Sequence, residues 1–380
     1  MIGSFTFCAI VLLGSSIANH DIGAIVNGTI FFVISINSIY SFSSFLSEDT
    51  YGLIIRQACF YLIGTFLIII CFKIGPDKFL KYSPYIYGVN VILLILVLFI
   101  GTEANGARAW FSVPLIGTFQ PSEFMKIGLI LFLAKIISEH KINGFKDEVL
   151  LFVKVLVVLL IPSFVTFLEP DTGAVLIYFV IAFVMLFTSK IRIRWFLFTF
   201  LIMFLLGALL FYVYIFQTDL FIKIFGSSMF YRFDRIFDWS NASGMQLENS
   251  IISIGSSGYF GHGISNILLY FPEGHTDFIF ASFASIYGFT GMVILIVSIV
   301  WFDILLIKTK TREARYKYVI AGMCGALFYQ QIQNISMTIG LMPITGITLP
   351  FISYGGSSLI SYMILLGIVL CIRKDIRVFT

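Results

Sequence analysis

Charge is what this sequence has least of. Of its 380 residues, 12% are charged and 59% are hydrophobic, whereas about 25% of the residues in an average soluble protein are charged. The mean hydropathy is +1.00. A chain with so few charged residues cannot form a polar surface that faces water on all sides of the fold. The composition therefore excludes a soluble protein and indicates an integral membrane protein.

Cysteine and histidine are scarce as well. The five cysteines lie scattered in or beside apolar runs, and their spacing fits neither a disulfide framework nor a zinc site. Near the longest polar loop there are two histidines, His262 and His275, whose spacing matches no metal-ligand pattern. We therefore expect no metal centre built from the protein's own side chains.

The beginning of the chain lacks the features of a cleaved signal peptide. The apolar run 4–18 is short, and it has no basic start and no small-residue cleavage site. It could be an eleventh helix, an interfacial helix or an uncleaved leader, so we treat residues 1–25 as an N-terminal hydrophobic extension. No soluble domain, low-complexity linker or internal repeat is visible elsewhere. Residues 26–380 are therefore predicted to form a single membrane domain.

Long apolar runs are what the sequence does have. A transmembrane helix needs about 20 mostly apolar residues. The sequence predicts ten such spans, at 26–46, 55–74, 82–101, 119–138, 148–168, 170–188, 193–217, 278–307, 316–340 and 348–372. The predicted fold is all-α, a polytopic bundle of about ten transmembrane helices with a possible extra N-terminal hydrophobic helix. One long extracellular loop is predicted at about 218–277.

The basic residues divide unequally between the two ends of these spans. One end receives 18 of the 24 basic residues, namely Lys73, Lys78, Lys81, Lys135, Lys141, Lys146, Lys154, Lys190, Arg192, Arg194, Lys308, Lys310, Arg312, Arg315, Lys317, Arg373, Lys374 and Arg377. Positive charge accumulates in cytoplasmic loops. The pattern therefore predicts a cytoplasmic C-terminus and places the long loop outside.

A few charges stand within or at the edge of apolar runs, where an ionised side chain is costly and usually faces a bundle interior. Glu123 and Lys126 are three residues apart, so one helix face would present both. Asp171 breaks two apolar runs, and Asp277 precedes another. For Glu123 and Lys126 two readings stay open, an internal ion pair that holds helices together or a direct part in chemistry.

The predicted outer loops hold most of the remaining polar material. Arg108 and Trp110 lie in one loop, and Arg232 and Arg235 lie three apart in the long loop. Guanidinium groups suit phosphates, and nearby acids could act as a base. This set suggests group transfer from a phosphate-bearing lipid. The glycine-interrupted segment "SIISIGSSGYFGHGIS" is predicted to lie along the outer leaflet surface.

Six blocks of sequence resemble the signature segments of one bacterial family. In chain order they are "GARAWF", "QPSEFMK", "EPDTG", "IGSSGYFGHGIS", "FPEGHTDFIFA" and "QNISMTIGLMPITGITLPFISYGGSS". Their order and placement are similar to those of the SEDS family, the polytopic proteins RodA, FtsW and SpoVE, over roughly residues 26 to 375. The short termini and the wording of "QPSEFMK" and "FIFA" favour the RodA branch.

The resemblance implies a peptidoglycan glycosyltransferase that polymerises lipid II on the outer face of the bacterial cytoplasmic membrane. It implies that Asp277 is the catalytic acid–base residue. The polar residues noted above then become candidates for substrate binding, namely Arg108, Trp110, Glu123, Lys126, Asp171, Arg232 and Arg235. A divalent cation such as Mg²⁺ or Mn²⁺ is a possible cofactor. The implied partners are lipid II, membrane lipids and a class B penicillin-binding protein, with no nucleic acid.

Some positions depart from the family pattern, and other functions stay open. Ser285 and Ile286 stand where the family usually has two acids, Ser257 replaces a glycine, and Ala109 stands where a basic residue or serine is common.

A lipid II flippase or another transporter would also use Glu123, Lys126 and Asp171 to line a path. A non-catalytic scaffold of the cell-wall synthesis complex would need the helices but not Asp277.

Overall fold

The apolar runs form helices, because a segment surrounded by lipid must satisfy its backbone hydrogen bonds internally. The computed structural model describes residues 22–45, 50–104, 107–113, 117–189, 191–226, 230, 245–264 and 266–378. Its α-helices are α1 (Ile22–Phe42), α2 (Thr50–Ile74), α3 (Pro76–Lys81), α4 (Ser83–Ile100), α5 (Pro121–Glu139), α6 (Phe145–Leu168), α7 (Thr172–Phe187), α8 (Arg194–Phe216), α9 (Thr218–Phe225), α10 (Met245–Ser256), α11 (Ile279–Ile307), α12 (Ala314–Thr338) and α13 (Gly356–Val378).

The predicted all-α polytopic fold is confirmed. Each of the ten predicted spans corresponds to one long helix, and most helix ends fall within about five residues of the predicted ends. Within the described residues, α2, α4, α6, α8, α11 and α13 are long and apolar enough to cross a membrane. The last span is the exception, because α13 begins at Gly356 rather than at residue 348. The residues before it form turns and extended chain beside the site described below.

A small antiparallel sheet forms in the segment before α5 that the sequence predicted as an outer loop. Its strands are β1 (Thr102–Ala104), β2 (Ala107–Val113) and β3 (Gly117–Phe119), in the order β1-β2-β3. Glu103 pairs with Arg108 in one ladder, and Phe111 pairs with Phe119 in the other. Strands β1 and β3 have only three residues each, too few to give a readable alternation in the sequence. The sheet holds Ala109 and Trp110 above the end of the bundle.

Helix α5 lies at the centre of the bundle. It contacts α4, α6, α7, α12 and α13, and its residues 127–131 are all buried. Pro121 occupies its first turn, where the missing N–H of proline costs no hydrogen bond. This position brings Glu123 and Lys126 to the middle of the bundle at the end where β2 lies.

Helix α11 is broken at Gly288, whose φ of +64° suits a residue without a side chain. The segment 258–263 packs into the break, so closely that a Cβ on Gly288 would lie 2.4 Å from the nitrogen of Gly261. Backbone hydrogen bonds bridge the two segments, from His262 N to Ser285 O, Gly263 N to Ile286 O, Phe289 N to Gly258 O and Thr290 N to Tyr259 O. The glycine-interrupted segment therefore comprises the second half of helix α10 and a loop that packs into the break in α11 and hydrogen-bonds to it.

Several predictions fall outside the described residues. The N-terminal run 4–18 and both arginines of the long loop, Arg232 and Arg235, belong to this group. The division into an N-terminal extension and one membrane domain therefore stays a prediction. The long loop itself contains α9, α10 and the loop that leads to Asp277.

Candidate functional site

One cavity brings together residues that are far apart in the sequence. It has a volume of about 370 Å³ and lies at the end of the bundle that carries β2 and the start of α11. Four residues predicted from the sequence line it, namely Trp110, Glu123, Asp171 and Asp277. The other polar side chains in its wall are Thr118, Gln120, Glu273, Thr276, Gln330, Thr345, Thr348, Tyr354, Ser357 and Ser358.

Asp277 lies one residue before the N-cap of α11, and its carboxylate borders the cavity. The carboxylate makes no hydrogen bond or ion pair with another residue that the structure describes. Gly346 lies against it, since a Cβ there would be 3.6 Å from Asp277 Oδ2. With a φ of +71°, Gly346 also has a backbone conformation that disfavours other residues. The site therefore holds an acid whose oxygens are available to a bound molecule.

The backbone at Asp277 is held by Asn334 of α12. The Asn334 side chain is fully buried. Its Nδ2 donates to the carbonyl of Asp277 and to the carbonyl of Ile347, each at 2.7 Å. One amide thus ties the loop before α11 to the chain that carries Gly346. Sequence reasoning missed this residue as part of the site, although a cluster of amides inside a helix was visible in "YQQIQN".

The electrostatic environment of Asp277 favours its protonated form. Burial raises its pKa to about 7, with smaller contributions from the nearby carboxylates of Glu273 and Asp171. Glu273 was also missed by the sequence analysis. It has a φ of 57° and accepts a hydrogen bond of 2.6 Å from Thr276 Oγ1. A carboxyl group with a pKa near neutrality can exchange a proton with a substrate.

Glu123 and Lys126 form the ion pair that their spacing suggests. Lys126 Nζ lies 2.6 Å from Glu123 Oε2 and 3.3 Å from Gln330 Oε1 of α12. The ammonium group also lies 4.4 Å from the centre of the Tyr362 ring in α13. The Lys126 side chain is 1% exposed, whereas that of Glu123 is 13% exposed and reaches the cavity. Lys126 thus joins three helices behind the cavity wall.

Replacing one partner of this ion pair should destabilise the protein more than replacing both. We expect Lys126→Met or Glu123→Gln alone to lower the free energy of unfolding by about 3–5 kcal/mol, because each leaves a buried group without its partner. The double variant should recover part of that loss. Thermal unfolding in detergent measures the relative stabilities of the three variants. A double variant less stable than either single variant would contradict the pairing.

An exposed ion pair supplies the control for that comparison. Arg315 lies 3.0 Å from Asp77, and both side chains are more than a third exposed. Exposed pairs contribute about 0–1 kcal/mol because water screens them. Arg315→Gln should therefore change the unfolding temperature little under the same conditions.

Asp171 is the N-cap of α7. Its Oδ1 accepts a hydrogen bond from Ala174 N at 3.0 Å, and its Oδ2 accepts from Gln120 Nε2 at 3.0 Å and Ser122 Oγ at 3.1 Å. These bonds tie the start of α5 to the start of α7. Burial raises the pKa of Asp171, and the hydrogen bonds from Ala174 and Ser122 partly oppose this rise. The carboxylate shapes the cavity wall, and a contact with substrate stays a prediction.

Glu169, two residues earlier, is a buried acid of another kind. It is fully buried, and neither carboxyl oxygen has a hydrogen-bond partner in the described part of the chain. Burial, with a smaller contribution from Asp171, raises its pKa to about 9. The carboxyl is therefore protonated at neutral pH. The sequence marked this segment as a break between helices but gave no sign of a neutral acid.

Glu169→Gln should make the protein more stable, and increasingly so as the pH rises. Between the unfolded pKa of 4.5 and the folded value of about 9, the folded state keeps a proton that the unfolded state has lost. The free energy of unfolding therefore falls by up to about 1.4 kcal/mol per pH unit in this window. Glutamine removes that dependence. Thermal unfolding at pH 6 and at pH 8.5 measures it.

Glu148, at the other end of α6, is the control for Glu169. Its carboxylate is buried and lies 2.8 Å from Arg192 and 3.2 Å from Arg194. Glu148→Gln should destabilise the protein by a similar amount at both pH values. If Glu169→Gln shows the same difference from wild type at both pH values, the buried carboxyl is not neutral.

Arg108, the one described arginine among the candidates for substrate binding, does not line this cavity. Arg108 lies on β2 with its side chain 49% exposed and 4.0 Å from Glu103, outside the lining. Among the lining residues that the structure describes there is no lysine or arginine. The described residues also contain no group of three or more His, Cys, Asp or Glu side chains that could hold a metal. Ser285 and Ile286 lie at the break in α11, away from the cavity.

Comparisons with known proteins agree with the resemblance seen in the sequence. A family model described as cell cycle protein, FtsW/RodA/SpoVE, matches residues 22–377. The chain is 33% identical to a probable peptidoglycan glycosyltransferase FtsW from Haemophilus influenzae, over 89% of this chain and 85% of that protein.

Solved structures are similar over nearly the whole chain. A crystal structure of the rod shape determining protein RodA from Thermus thermophilus is 27% identical with a TM-score of 0.69, covering 94% of this chain and 97% of that one. A chain from a structure of a peptidoglycan synthase complex, described as coordinating polymerization and crosslinking, is 26% identical with a TM-score of 0.78. It covers 94% of this chain and 98% of that one. The narrower expectation of the RodA branch stays a prediction, since the sequence relative is an FtsW and the crystal structure is a RodA.

Proposed function

We infer that this chain is a peptidoglycan glycosyltransferase, because it belongs to the FtsW, RodA and SpoVE family. Its substrate in this proposal is lipid II, which it polymerises into glycan strands for cell-wall synthesis. The single observation that carries the proposal is the carboxylate of Asp277. It borders a cavity at the end of a membrane helix and is left without a hydrogen-bond partner among the described residues.

The chemistry fits one base at that position. Lipid II carries an α-linked sugar diphosphate and the glycan is β-1,4-linked, so the displacement inverts the anomeric carbon. Asp277 takes the proton from the acceptor 4-hydroxyl while that oxygen attacks the anomeric carbon and the bond to the diphosphate breaks. General base catalysis of this kind contributes about 10²–10⁴-fold. A lipid tail in the bilayer and a sugar in the cavity would bring the reacting atoms to the start of α11.

The diphosphate that leaves needs positive charge around it. Arg108, Arg232 and Arg235 stay candidates for this role, together with Lys126 behind the cavity wall. A divalent cation stays a candidate too. Mg²⁺ commonly binds through one or two carboxylates and the phosphates of the substrate instead of a protein cage. It could thus arrive with the diphosphate and use an acid of the cavity such as Glu273.

The test is incubation of purified protein with lipid II in detergent, with and without divalent cation, followed by separation of glycan chains. A polymerase makes glycan without a sealed bilayer. A flippase would make none in detergent but would move lipid II across vesicle membranes. A scaffold would do neither. Absence of glycan in every condition, including those with a transpeptidase partner, would overturn the proposal.

The rate of polymerisation should rise with pH through about 7. Only the ionised carboxylate can accept the hydroxyl proton, and the pKa of Asp277 is raised to about 7. The rate at subsaturating lipid II, which reports kcat/KM and hence the pKa of the free enzyme, should therefore fall about tenfold per pH unit below that value and level off above it. The residual rate of Asp277→Asn should not show this fall at low pH. A wild-type rate that is constant between pH 5 and pH 8 would contradict Asp277 as the titrating base.

We also propose a bacterial cytoplasmic membrane location with the C-terminus inside, and a class B penicillin-binding protein as partner. The basic residues support the orientation. The similarity to a chain of a peptidoglycan synthase complex supports a crosslinking partner. A partner on the outer side could order the loop before Asp277 and position the acid. Polymerisation is measured with and without the partner. Equal rates once co-purification shows the complex has formed would reject activation.

A further inference from the structure

A second cavity lies at the opposite end of the bundle from Asp277. It is a groove of about 950 Å³ between the last turns of α7, the end of α11 and the first half of α12. Its walls are mainly apolar, with Val180, Val184, Ile320 and Phe328 among the residues that line it. Helix α11 begins beside Asp277 and runs 29 residues before reaching this groove. The groove is thus a separate feature and not an extension of the candidate active site.

Three cations stand where the groove meets the end of the bundle. Lys310 and Arg312 lie in the turn between α11 and α12, and Lys317 lies in the first turns of α12. All three are exposed. None makes an ion pair with an acid in the part of the chain that the structure describes, whereas the neighbouring Arg315 binds both Asp77 and Glu313. Their positive charge is therefore available to a ligand.

We propose that this groove binds an anionic phospholipid, with an acyl chain against α7 and α12 and the phosphate among Lys310, Arg312 and Lys317. The apolar walls exclude a free anion as the natural ligand, because it would leave most of the groove uncovered. The three cations should bind an anionic head group more tightly than a zwitterionic one. Basic pockets between membrane helices at the cytoplasmic side are suited to such head groups.

The probes are phosphatidylglycerol, phosphatidylcholine and the soluble head group glycerophosphoglycerol. Each is added to the full-length protein in detergent, and bound lipid is counted by native mass spectrometry across a concentration series. We expect phosphatidylglycerol to bind at least about tenfold more tightly than phosphatidylcholine. Glycerophosphoglycerol should compete weakly, because it has no chain to occupy the groove.

Two kinds of variant separate the head-group contacts from the groove. The first changes Lys310, Arg312 and Lys317 to glutamine. It should raise the dissociation constant for phosphatidylglycerol at least about tenfold, since each basic residue near an anionic lipid contributes about fivefold. The second, Ala321→Phe, fills the groove beneath the cations and should weaken both lipids. Thermal unfolding shows whether each variant is folded.

A matched control removes the same charge from elsewhere on that end of the bundle. Lys73, Lys78 and Lys146 are exposed and lie outside the groove. Changing all three to glutamine should alter phosphatidylglycerol binding less than about threefold. If this control weakens binding as much as the groove variant, the attraction is general electrostatics and the site is wrong. Full retention of binding in folded Ala321→Phe, or equal binding of glycerophosphoglycerol, would likewise overturn a lipid in the groove.

Discussion

Asp277→Asn should lower lipid II polymerisation by about 10²–10⁴-fold while the protein still folds and inserts. Asparagine keeps the size of the side chain and removes the base. The fold should survive, because the contact that holds this loop is made by the backbone carbonyl of Asp277 and not by its carboxylate. Asp277→Ala should lose as much activity. Polymerisation is measured as glycan chains formed from lipid II, and folding as the thermal unfolding temperature in detergent.

Asp303→Asn is the matched control. Asp303 is a buried acid inside α11, near the end of the helix opposite Asp277, and it accepts a hydrogen bond from Gln331 at 3.2 Å. An asparagine oxygen can accept the same bond, so this variant should polymerise at nearly the wild-type rate. Near wild-type synthesis by Asp277→Asn would remove Asp277 from the mechanism. Equal losses in both variants would point to a general effect of neutralising buried acids.

The fold was largely predictable because hydropathy and length determine where a chain can cross a bilayer. The start of α13 was not. Residues 348–355 are apolar enough to extend a hydropathy window, yet Pro350, Gly355 and the polar contacts of Ser353 keep them out of the helix. The sheet at 102–119 was missed for a different reason, because two of its three strands have only three residues and leave too little pattern to detect.

The candidate site was predictable in part. The spacing of Glu123 and Lys126 was sufficient to suggest their ion pair, because residues three apart share a helix face. Asp277 came from the family resemblance, since one acid at the edge of an apolar run has no distinctive local pattern. Glu169 and Asn334 were not predicted as site features. Their properties depend on burial and on partners distant in the sequence, and Asn334 lies 57 residues from Asp277.

Asn334→Leu should lower the rate of polymerisation at saturating lipid II by about 10²-fold. The side chain has no place in the cavity lining, but its two donated bonds fix the backbone of Asp277 relative to the chain that carries Gly346. A displacement of about 1 Å in a catalytic group can cost 10²-fold. The apparent KM should change little, because the sugar-binding surface is retained. Asn334 is therefore a positioning residue in this proposal.

Gln333→Leu is the control for Asn334. Gln333 is the preceding residue on α12, is also buried, and donates from Nε2 to the carbonyl of Pro343 at 2.9 Å. Asn334→Leu leaves two loop carbonyls without their donor and Gln333→Leu leaves one, and each unsatisfied group costs about 1–3 kcal/mol. Both should therefore be destabilised. Only Asn334→Leu should lose most of its activity at temperatures where the two proteins are folded.

Combining Asn334→Leu with Asp277→Asn distinguishes positioning of the base from general loss of structure. If Asn334 acts through Asp277, its substitution has little left to disturb once the base is gone, and the double variant should have the same residual rate as Asp277→Asn alone. If Asn334 supports the site in some other way, the two losses should multiply, and the double variant should be about 10²-fold slower than Asp277→Asn. A multiplied loss would contradict the positioning role, because the amide would then contribute to catalysis without the carboxylate that it is proposed to hold.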